Sequence, residues 1–391
     1  MFRKAVFPGR YMQGAGAINE LPALIEQLGG RGMVLASPTV IGNVLPRCPL
    51  DLAARDVRVE GFQGECCEEE LSRLSDAISK HQIEVMVGMG GGKTIDAAKI
   101  AADRAGIPVI VVPTIASTDA PCSGCAVRYS KDGVFDAVLY QRANPQAVLV
   151  DLEIIAAAPV RFLVAGMGDA LSTWFEARSC HRTQSPNECG GISTAAALGI
   201  ADLCYQTLLA DGVAAKMANE ANVVTRALDR IVEANTLLSG LGFESAGLAS
   251  AHSIHNGLTA LPETHRSYHG EKVAFGVLAG LCLTDAPTQE LRTVFAFCKR
   301  VGLPTTLSDI GLGEAGRERL MMAAERACAP GQPIHHEAGE VMPENVLDAM
   351  LAADALGRHM SRPRRSRAGR RSRGVRTVSI QPSRPILVRG R

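Results

Sequence analysis

Residues 83–103 read IEVMVGMGGGKTIDAAKIAAD, an apolar run that leads through a glycine cluster into a helical pattern. The apolar run predicts a strand over Val85–Gly88, and the pattern after it predicts a helix over Lys93–Arg104. Four glycines between positions 88 and 92 let the backbone approach a ligand without a Cβ clash. The first N–H groups of a helix favour anions, so the segment predicts phosphate binding, with Lys93 adding a positive charge.

Two familiar phosphate-binding motifs come close to this segment, and each fails by one position. A P-loop that ends in Gly92-Lys93-Thr94 would need glycine at the position of Val87. A dinucleotide fingerprint that starts at Gly88 would need glycine at the position of Lys93. The motif therefore predicts a phosphate site without identifying a nucleotide-binding fold, and a tight strand-to-helix turn without a ligand stays the alternative.

The first 150 residues alternate short apolar runs with helical patterns. The predicted strands are Met33–Ala36, Val57–Phe62, Val85–Gly88, Val109–Pro113 and Ala147–Val150, and the predicted helices are Ile18–Leu28, Glu69–Lys80 and Lys93–Arg104. A polar turn over Tyr129–Gly133 predicts a hairpin. Strands that alternate with helices imply crossover connections, so we predict an α/β domain with a mostly parallel sheet.

The remainder of the chain has a helical pattern up to Met360, interrupted by Gly and Pro rather than by β-branched runs. We therefore predict an α/β domain over residues 1–158 and an all-helical domain over residues 159–360. Residues 361–391 form a third segment, a basic tail.

The tail holds 11 of the chain's 41 basic residues and no acidic residue, which leaves 30 basic against 40 acidic residues elsewhere. It has no helical or strand period before Val375, so we predict disorder. Such a run could bind RNA. No aromatic residue interleaves the arginines, so we favour a solvated extension and expect no nucleic-acid partner, with RNA binding as the alternative.

Composition fits a globular chain, with 391 residues of which 47% are hydrophobic and 4% aromatic. No apolar run is long enough to predict a membrane span, and the first residues do not resemble an export signal. Eleven cysteines without the spacing of a disulfide framework fit a reducing cytoplasm. The pairs Cys66–Cys67 and Cys122/Cys125 are predicted to be buried or partly buried thiols.

A second polar loop, PTIASTDAPCSG at residues 113–124, follows the predicted strand Val109–Pro113. This loop, the glycine cluster and Ser37 all follow the carboxyl ends of predicted strands. Ligands of open parallel sheets bind at that edge, so the loops predict a ligand crevice. Ser and Thr clusters are also ordinary turn residues, which stays the alternative.

In the helical half, Asp169, His252 and His269 form a candidate metal site. An Asp and two His leave one coordination position open, as a catalytic zinc needs. Four of the nine histidines lie within 18 positions, at 252, 255, 265 and 269. His269 stands at a predicted helix start, which disfavours imidazolium and so favours the neutral, metal-binding form.

A helical wheel gives Asp169 a different alternative. The predicted apolar stripe is Leu163, Met167, Ala170 and Trp174, and the opposite face carries Asp169, Ser172, Thr173 and Glu176. Such a face predicts a solvated acid unless it turns toward a cleft, where glycines at 166 and 168 would allow close approach. A zinc ion can polarise a hydroxyl group. Together with the predicted nucleotide crevice, the predicted zinc site therefore indicates alcohol oxidation by a nicotinamide cofactor.

Seven segments extend these motifs. They are PGRYMQGAGAI (8–18), GMGGGKTIDAAK (88–99), PTIASTDAPCS (113–123), GMGDALSTWFEAR (166–178), EANTLLSG (233–240), GLASAHSIHNGLTA (247–260) and YHGEKVAFG (268–276). Together they resemble the iron-containing (type III) alcohol dehydrogenase superfamily, which shares its architecture with dehydroquinate synthase. The resemblance covers roughly Val6 to His359.

The resemblance implies an NAD-binding α/β domain, a helical metal domain and an active site in the cleft between them. It implies one zinc per subunit at Asp169, His252 and His269, with iron as the alternative metal, and places Asp119 and His252 at the substrate. The implied NAD contacts are Gly91, Gly92, Lys93, Thr114, Ser117, Ser123, Cys125 and Tyr129. The implied reaction is the reversible oxidation of a small polyol, glycerol to dihydroxyacetone, in a homo-oligomer that is typically an octamer.

Two features depart from the family pattern. Ser37 stands where the family places an acid that binds the adenosine ribose, so we expect a weaker preference for NAD over NADP. The basic tail has no family counterpart. Other polyol or hydroxyketone oxidoreductases acting on 1,2-propanediol or hydroxyacetone, or a lyase of the dehydroquinate synthase type, stay alternatives.

Overall fold

The computed structural model describes residues 1–52 and 55–361. The strands are β1 (Tyr11–Gly14), β2 (Gly32–Ala36), β3 (Arg58–Gly61), β4 (Val85–Gly90), β5 (Val109–Pro113), β6 (Cys125–Tyr129), β7 (Phe135–Tyr140) and β8 (Ala147–Asp151). Six of them form a parallel sheet in the order β1-β8-β5-β4-β2-β3, and β6 and β7 form an antiparallel hairpin. The predicted parallel sheet and the hairpin are confirmed.

The helices occupy the spaces between strands and then the rest of the described chain. They are α1 (Leu21–Leu28), α2 (Glu68–Lys80), α3 (Gly92–Ala105), α4 (Leu152–Ala156), α5 (Val160–Thr183), α6 (Ala195–Glu220), α7 (Arg226–Glu233), α8 (Ser239–Ala246), α9 (Ser250–Leu258), α10 (His269–Leu283), α11 (Thr288–Val301), α12 (Arg317–Ala327) and α13 (Pro343–Ser361). A π-helical turn over Ala234–Leu238 joins α7 to α8. An α/β region followed by a helical region is therefore confirmed as the fold.

The sheet is covered on both faces, which explains why its central strands read as unbroken apolar runs. On one face, Val34 and Val87 pack with Ile25 of α1. On the other face, Met33 and Met86 belong to a core that continues through α2 and α3 into the helical half. Successive side chains of the central strands therefore alternate between the two cores.

The chain reverses its direction of travel across the sheet between β2 and β4. From β2 it moves outward to β3, returns to β4 beside β2, and then continues to β5 and β8 on the other side. Ligands of such sheets bind beyond the carboxyl ends of the strands at this reversal. Ser37 follows β2 there, and the glycine turn follows β4.

Some predictions differ from the structure. The sequence analysis missed β1, a short edge strand whose YMQG sequence has no alternating pattern and which is set by pairing with β8. The proposed boundary at residues 158 and 159 lies in the turn between α4 and α5, and the division into domains stays a prediction. Of the basic tail, residues 362–391 lie outside the described residues, so the predicted disorder is not addressed.

Helices α5 and α10 approach each other backbone to backbone, because glycines line their contact. A Cβ atom on Gly270 would overlap the carbonyl oxygen of Ala165, and a Cβ atom on Gly168 would overlap that of Gly270. Asp169 directly follows Gly168, and His269 directly precedes Gly270. The close approach of the two helices therefore brings the Asp169 and His269 side chains together.

Over the described ranges, no helix combines the length and apolar character that crossing a membrane requires.

Candidate metal centre and nucleotide crevice

Three helices converge on the predicted metal site. Asp169 lies on α5, His252 on α9 and His269 at the first position of α10, and one donor atom from each lies within 4.8 Å of the others. Asp169 Oδ1 is 3.0 Å from His269 Nε2 and 3.6 Å from His252 Nε2. The structure therefore brings together three residues that are far apart in sequence.

The alternative of a solvated face around Asp169 is excluded. Asp169, Ser172, Thr173 and Glu176 are all buried, whereas Trp174 of the predicted core stripe is partly exposed. Helix α5 packs against α6, α8, α9 and α10, so its polar face looks inward. A wheel assumes that one side of a helix meets water, and that assumption fails for a helix surrounded by others.

Glu176 fixes the tautomer of His252. Its Oε2 lies 2.6 Å from His252 Nδ1, and its Oε1 accepts hydrogen bonds from the backbone N–H groups of Ala249 and His252. Burial alone would raise the pKa of Glu176, but His252 and these donors hold it below its usual range. An ionised carboxylate only accepts, so His252 Nδ1 carries a proton. Although burial would lower the pKa of His252, Glu176 and Asp169 raise it well above its usual value, and Nε2 is the ring atom directed at Asp169.

His269 has a different outer partner. Its Nδ1 lies 3.0 Å from Nε2 of His255, three residues beyond His252 on α9. The His269 side chain is 38% exposed, whereas that of His252 is 13% exposed. The site is therefore closed on the α9 side and open beside His269, which leaves a direction from which a ligand can enter.

The donor set fits a metal ion. Asp169 Oδ1 is buried and has no hydrogen bond of acceptable geometry within the described part of the chain. Its neighbours are the Nε2 atoms of His252 and His269. Although burial would raise the pKa of Asp169, the two histidines hold it below its usual range, so the oxygen is an anion. A bound cation can neutralise a buried carboxylate oxygen that converges with two imidazole nitrogens, and two nitrogens with one carboxylate suit zinc or iron.

Asp119 lies beside this centre. Its backbone N–H donates to Asp169 Oδ2 at 3.3 Å, and its own Oδ2 accepts from Ser239 Oγ at 2.7 Å. Burial and the neighbouring Asp169 charge raise the pKa of Asp119 well above its usual range. The predicted substrate residue thus stands next to the metal ligands, in a position where its carboxyl group can keep a proton.

The glycine turn has a packed part and an open part. A Cβ atom on Gly90 would press on Thr94, and one on Gly91 would touch Ile115. At Gly92, the first residue of α3, a Cβ atom would meet no described atom within 4 Å. The first N–H groups of a helix have no partner within the helix, so open space at Gly92 fits the predicted phosphate site.

Lys93 is already paired at this edge. Its Nζ binds Glu65 Oε2 and lies 4.9 Å from the ring centroid of Tyr129. Two predicted cofactor residues, Lys93 and Tyr129, are therefore neighbours on one wall of the crevice. Thr114, another predicted contact, donates its backbone N–H to the carbonyl oxygen of Gly90, which joins the two loops.

A buried lysine, Lys99, hydrogen-bonds to the loop that carries Asp119, and sequence reasoning did not single it out. Lys99 Nζ binds the carbonyl oxygens of Ala120 and Cys125 and lies 3.3 Å from Ser123 Oγ. Glu244 Oε1 accepts from the Gly124 N–H at 2.7 Å. These contacts use the Ser123 hydroxyl within the loop, so the structure places Ser123 as a support and does not show it facing the crevice.

The cysteines behave as predicted. Cys66, Cys67 and Cys122 are buried, Cys125 is partly buried, and all are free thiols. Burial raises the pKa of Cys125 to about 12, so it is a neutral thiol at physiological pH.

Replacing Lys99 with methionine is expected to destabilise the protein by about 3 kcal/mol, because it leaves buried carbonyl oxygens without a donor. The loop over residues 120–125 would loosen with it. Thermal unfolding measures the effect. Lys216→Met removes a partly exposed lysine whose ion pair with Glu220 spans 3.8 Å, and this control is expected to change stability by less than about 1 kcal/mol. Equal effects would contradict the structural role of Lys99.

Asp96 on α3 supports the same region and gives a pH-dependent prediction. Its Oδ2 accepts from the Val127 N–H, while its buried Oδ1 lacks a partner among described residues. Burial raises the pKa of Asp96 from 3.8 to about 6, despite the charge of Lys99. An acid with a raised folded-state pKa is costly when ionised, so stability falls as pH rises from about 4 to about 6.

Asp96→Asn cannot ionise, so its stability relative to the parent protein should increase between pH 4 and pH 7, by up to about 3 kcal/mol. Unfolding temperatures of both proteins across that range measure the difference. A difference that stays constant with pH would show that Asp96 has the same pKa in the folded and unfolded protein, and so would contradict the raised pKa.

Comparisons with known proteins place this geometry in a family. A family model described as iron-containing alcohol dehydrogenase matches residues 8–152. Glycerol dehydrogenase of Thermotoga maritima is 52% identical over 360 residues, which are 92% of this chain and 98% of that protein. Glycerol dehydrogenase of Escherichia coli O6:H1 is 47% identical over 354 residues, covering 90% of this chain and 96% of the relative.

A solved structure gives the same result for the fold. The crystal structure of a probable glycerol dehydrogenase from Sinorhizobium meliloti 1021 matches with a TM-score of 0.87 and 46% identity, covering 91% of this chain and 99% of that one. Matches of this extent define the class of the protein as an oxidoreductase. The chain belongs to the iron-containing alcohol dehydrogenase family.

Sequence reasoning named the three candidate ligands that the structure brings together, but it missed most of what orients them. Glu176 stands seven residues after Asp169, two helical turns along the same face of α5, and that spacing was an available signal. Lys99 and Glu244 gave no such signal, because their partners are backbone groups of a distant loop.

Proposed function

We propose that the protein is a zinc-dependent polyol dehydrogenase that oxidises glycerol to dihydroxyacetone and reduces NAD. The observation that carries the proposal is the convergence of Asp169 Oδ1 with the Nε2 atoms of His252 and His269. Relatives named glycerol dehydrogenase that align over nearly the whole chain support the choice of substrate. The reaction is reversible, as hydride transfer to a nicotinamide requires.

Asp169, His252 and His269 would hold the metal ion, which when bound polarises a hydroxyl group and eases loss of its proton. Glu176 keeps the proton of His252 on Nδ1, so that Nε2 remains a donor to the metal. Asp119, with its raised pKa, is placed to hydrogen-bond a second hydroxyl of the polyol. A substrate with adjacent hydroxyl groups suits such a pair of contacts.

The cofactor would lie along the carboxyl edge of the sheet. The proposed contacts are Gly91, Gly92, Lys93, Thr114, Ser117, Cys125 and Tyr129. Ser123, which the sequence also suggested, is left out because its buried hydroxyl is used within the loop. Open space at Gly92 and the N-terminus of α3 support pyrophosphate binding there. Ser37 leaves the end of β2 without a carboxylate, so discrimination against the 2′-phosphate of NADP is expected to be weak.

The choice between zinc and iron rests on the ligand types alone, and two imidazoles with a carboxylate accept both metals. We propose zinc, one ion per subunit. The division at residues 158 and 159 and a homo-oligomeric assembly, typically an octamer in this family, are proposed from the sequence resemblance.

The proposal can be tested by measuring activity on a panel of substrates with protein whose metal content has been determined. Glycerol with NAD should give a steady rise in NADH absorbance that a chelator abolishes and added Zn²⁺ restores. Activity with 1,2-propanediol, or hydroxyacetone reduction, exceeding that with glycerol would move the assignment to another polyol oxidoreductase. A rate that survives complete metal removal would contradict the metal-dependent mechanism.

A further inference from the structure

The two candidate histidine ligands differ in the hydrogen-bond partner of the ring nitrogen that faces away from the site. His252 is held by a carboxylate, whereas His269 begins a chain of neutral groups. His269 Nδ1 lies 3.0 Å from His255 Nε2, and His255 Nδ1 lies 3.1 Å from Asn256 Oδ1. The chain ends where Asn256 Nδ2 donates to Gln332 Oε1 at 2.9 Å.

The direction of this chain decides whether His269 can bind a metal. When Asn256 Oδ1 accepts, His255 carries its proton on Nδ1 and its Nε2 becomes an acceptor. His269 must then donate from Nδ1, which leaves the Nε2 lone pair directed at the site beside Asp169. The amide orientation of Asn256 therefore sets the tautomer of a ligand two links away.

The opposite direction would satisfy the same links. If both amide groups turned over, Asn256 Nδ2 would donate to His255, His255 Nε2 would donate to His269, and the His269 proton would move to Nε2. Neutral imidazoles and amides permit both arrangements, whereas the Glu176 carboxylate permits only one for His252. His269 is thus the ligand whose readiness depends on its surroundings.

We propose that His255, Asn256 and Gln332 form a positioning chain that sets the tautomer of His269 and thereby tunes metal affinity. The proposal rests on the metal role proposed for Asp169, His252 and His269. It predicts that position 256 must offer a hydrogen-bond acceptor to His255 for tight metal binding. None of the three residues contacts the metal itself.

The backbone holds this chain in place. His255 is buried on α9, and Asn256 follows it. At the next residue, a Cβ atom on Gly257 would overlap the carbonyl oxygen of Ala323 on α12. That close approach carries the end of α12, and the segment after it that includes Gln332, alongside Asn256. The link between the amides is therefore built by helix packing and not by a chance surface contact.

The test is the dissociation constant for Zn²⁺, measured on the full-length protein by competition with a chelating dye. His255→Leu and Asn256→Leu are expected to weaken affinity about 10–100-fold, the usual effect of losing an outer partner of a ligand. Asn256→Asp keeps the acceptor and should bind Zn²⁺ at least as tightly as the parent protein. His265→Ala, which removes an exposed histidine of the same segment, should leave affinity unchanged.

A double variant separates the chain from a simple charge effect. His255→Leu combined with Asn256→Asp retains the new negative charge but breaks the chain, so its affinity should stay as weak as that of His255→Leu. Rescue in the double variant would overturn the proposal, as would parent-like affinity in Asn256→Leu. Metal-free Asn256→Leu and Asn256→Asp should unfold at similar temperatures, so a loss of affinity cannot be assigned to misfolding.

The parent protein distinguishes this proposal from the proposed function. If the parent protein binds no Zn²⁺, the proposed metal-dependent function is wrong, and the hydrogen-bond chain has no metal ligand to position. If the parent protein binds Zn²⁺ but the variants do not differ in affinity as predicted, the metal site is retained and the proposed positioning role of His255, Asn256 and Gln332 is refuted.

Discussion

Asp169→Asn is expected to release the metal ion and to lower turnover with glycerol by more than about 100-fold, while the fold is retained. Changing an outer partner of a metal ligand typically costs 10–100-fold, so loss of a charged ligand should cost more. The substitution keeps the shape of the side chain and removes its charge. Asp169 Oδ1 is the buried atom on which both Nε2 atoms converge.

Metal content per chain and the rate of NADH formation measure this effect together. Asp211→Asn is the matched control, because Asp211 forms a surface ion pair with Arg230 that is far from the site in sequence and on another helix. Such pairs contribute little, so the control should keep full metal content and rate. An Asp169→Asn protein with one metal ion per chain and normal turnover would refute the ligand assignment.

Gly270→Ala is expected to destabilise the protein by at least about 3 kcal/mol, because overpacking a tight contact forces backbone shifts. The new Cβ atom would overlap the carbonyl oxygen of Ala165 and press on the backbone of Asp169. Helices α5 and α10 would have to separate, and Asp169 and His269 would separate with them. Metal affinity should therefore fall even in the fraction that remains folded.

Gly199→Ala provides the control for glycine replacement within a helix. A Cβ atom on Gly199 of α6 would meet no described atom within 4 Å, so alanine should stabilise the protein by about 0.5–1 kcal/mol. Thermal unfolding and Zn²⁺ titration of both variants make the comparison. Equal stability of the two variants would show that α5 and α10 do not depend on glycine at their contact.

The elements that the sequence predicted well are those whose pattern has a local cause. Strands of a parallel sheet are buried on both faces, so β4 and β5 appear as unbroken apolar runs. The glycine turn after β4 marks the ligand edge for an equally local reason. The edge strand β1 has no such pattern, since pairing with β8 at the far end of the domain creates it.

The candidate site was predictable as a set of residue types but not as an arrangement. The family motifs point to Asp169, His252 and His269, yet a helical wheel leaves a solvated face open as the alternative for Asp169. Only the packing of α6, α8, α9 and α10 around α5 turns that face inward. The spacing of Glu176 from Asp169 was a local signal, but its contact with His252 spans 76 positions. Lys99 contacts a carbonyl oxygen 26 positions away, and no local pattern encodes that contact.

The most direct test of the central claim is anomalous diffraction at the zinc edge from crystals of active, zinc-reconstituted protein. We predict one strong peak per chain, with Asp169 Oδ1, His252 Nε2 and His269 Nε2 as ligands at about 2.0–2.2 Å. A peak at any other set of residues, or active crystals with no peak between α5, α9 and α10, would contradict it.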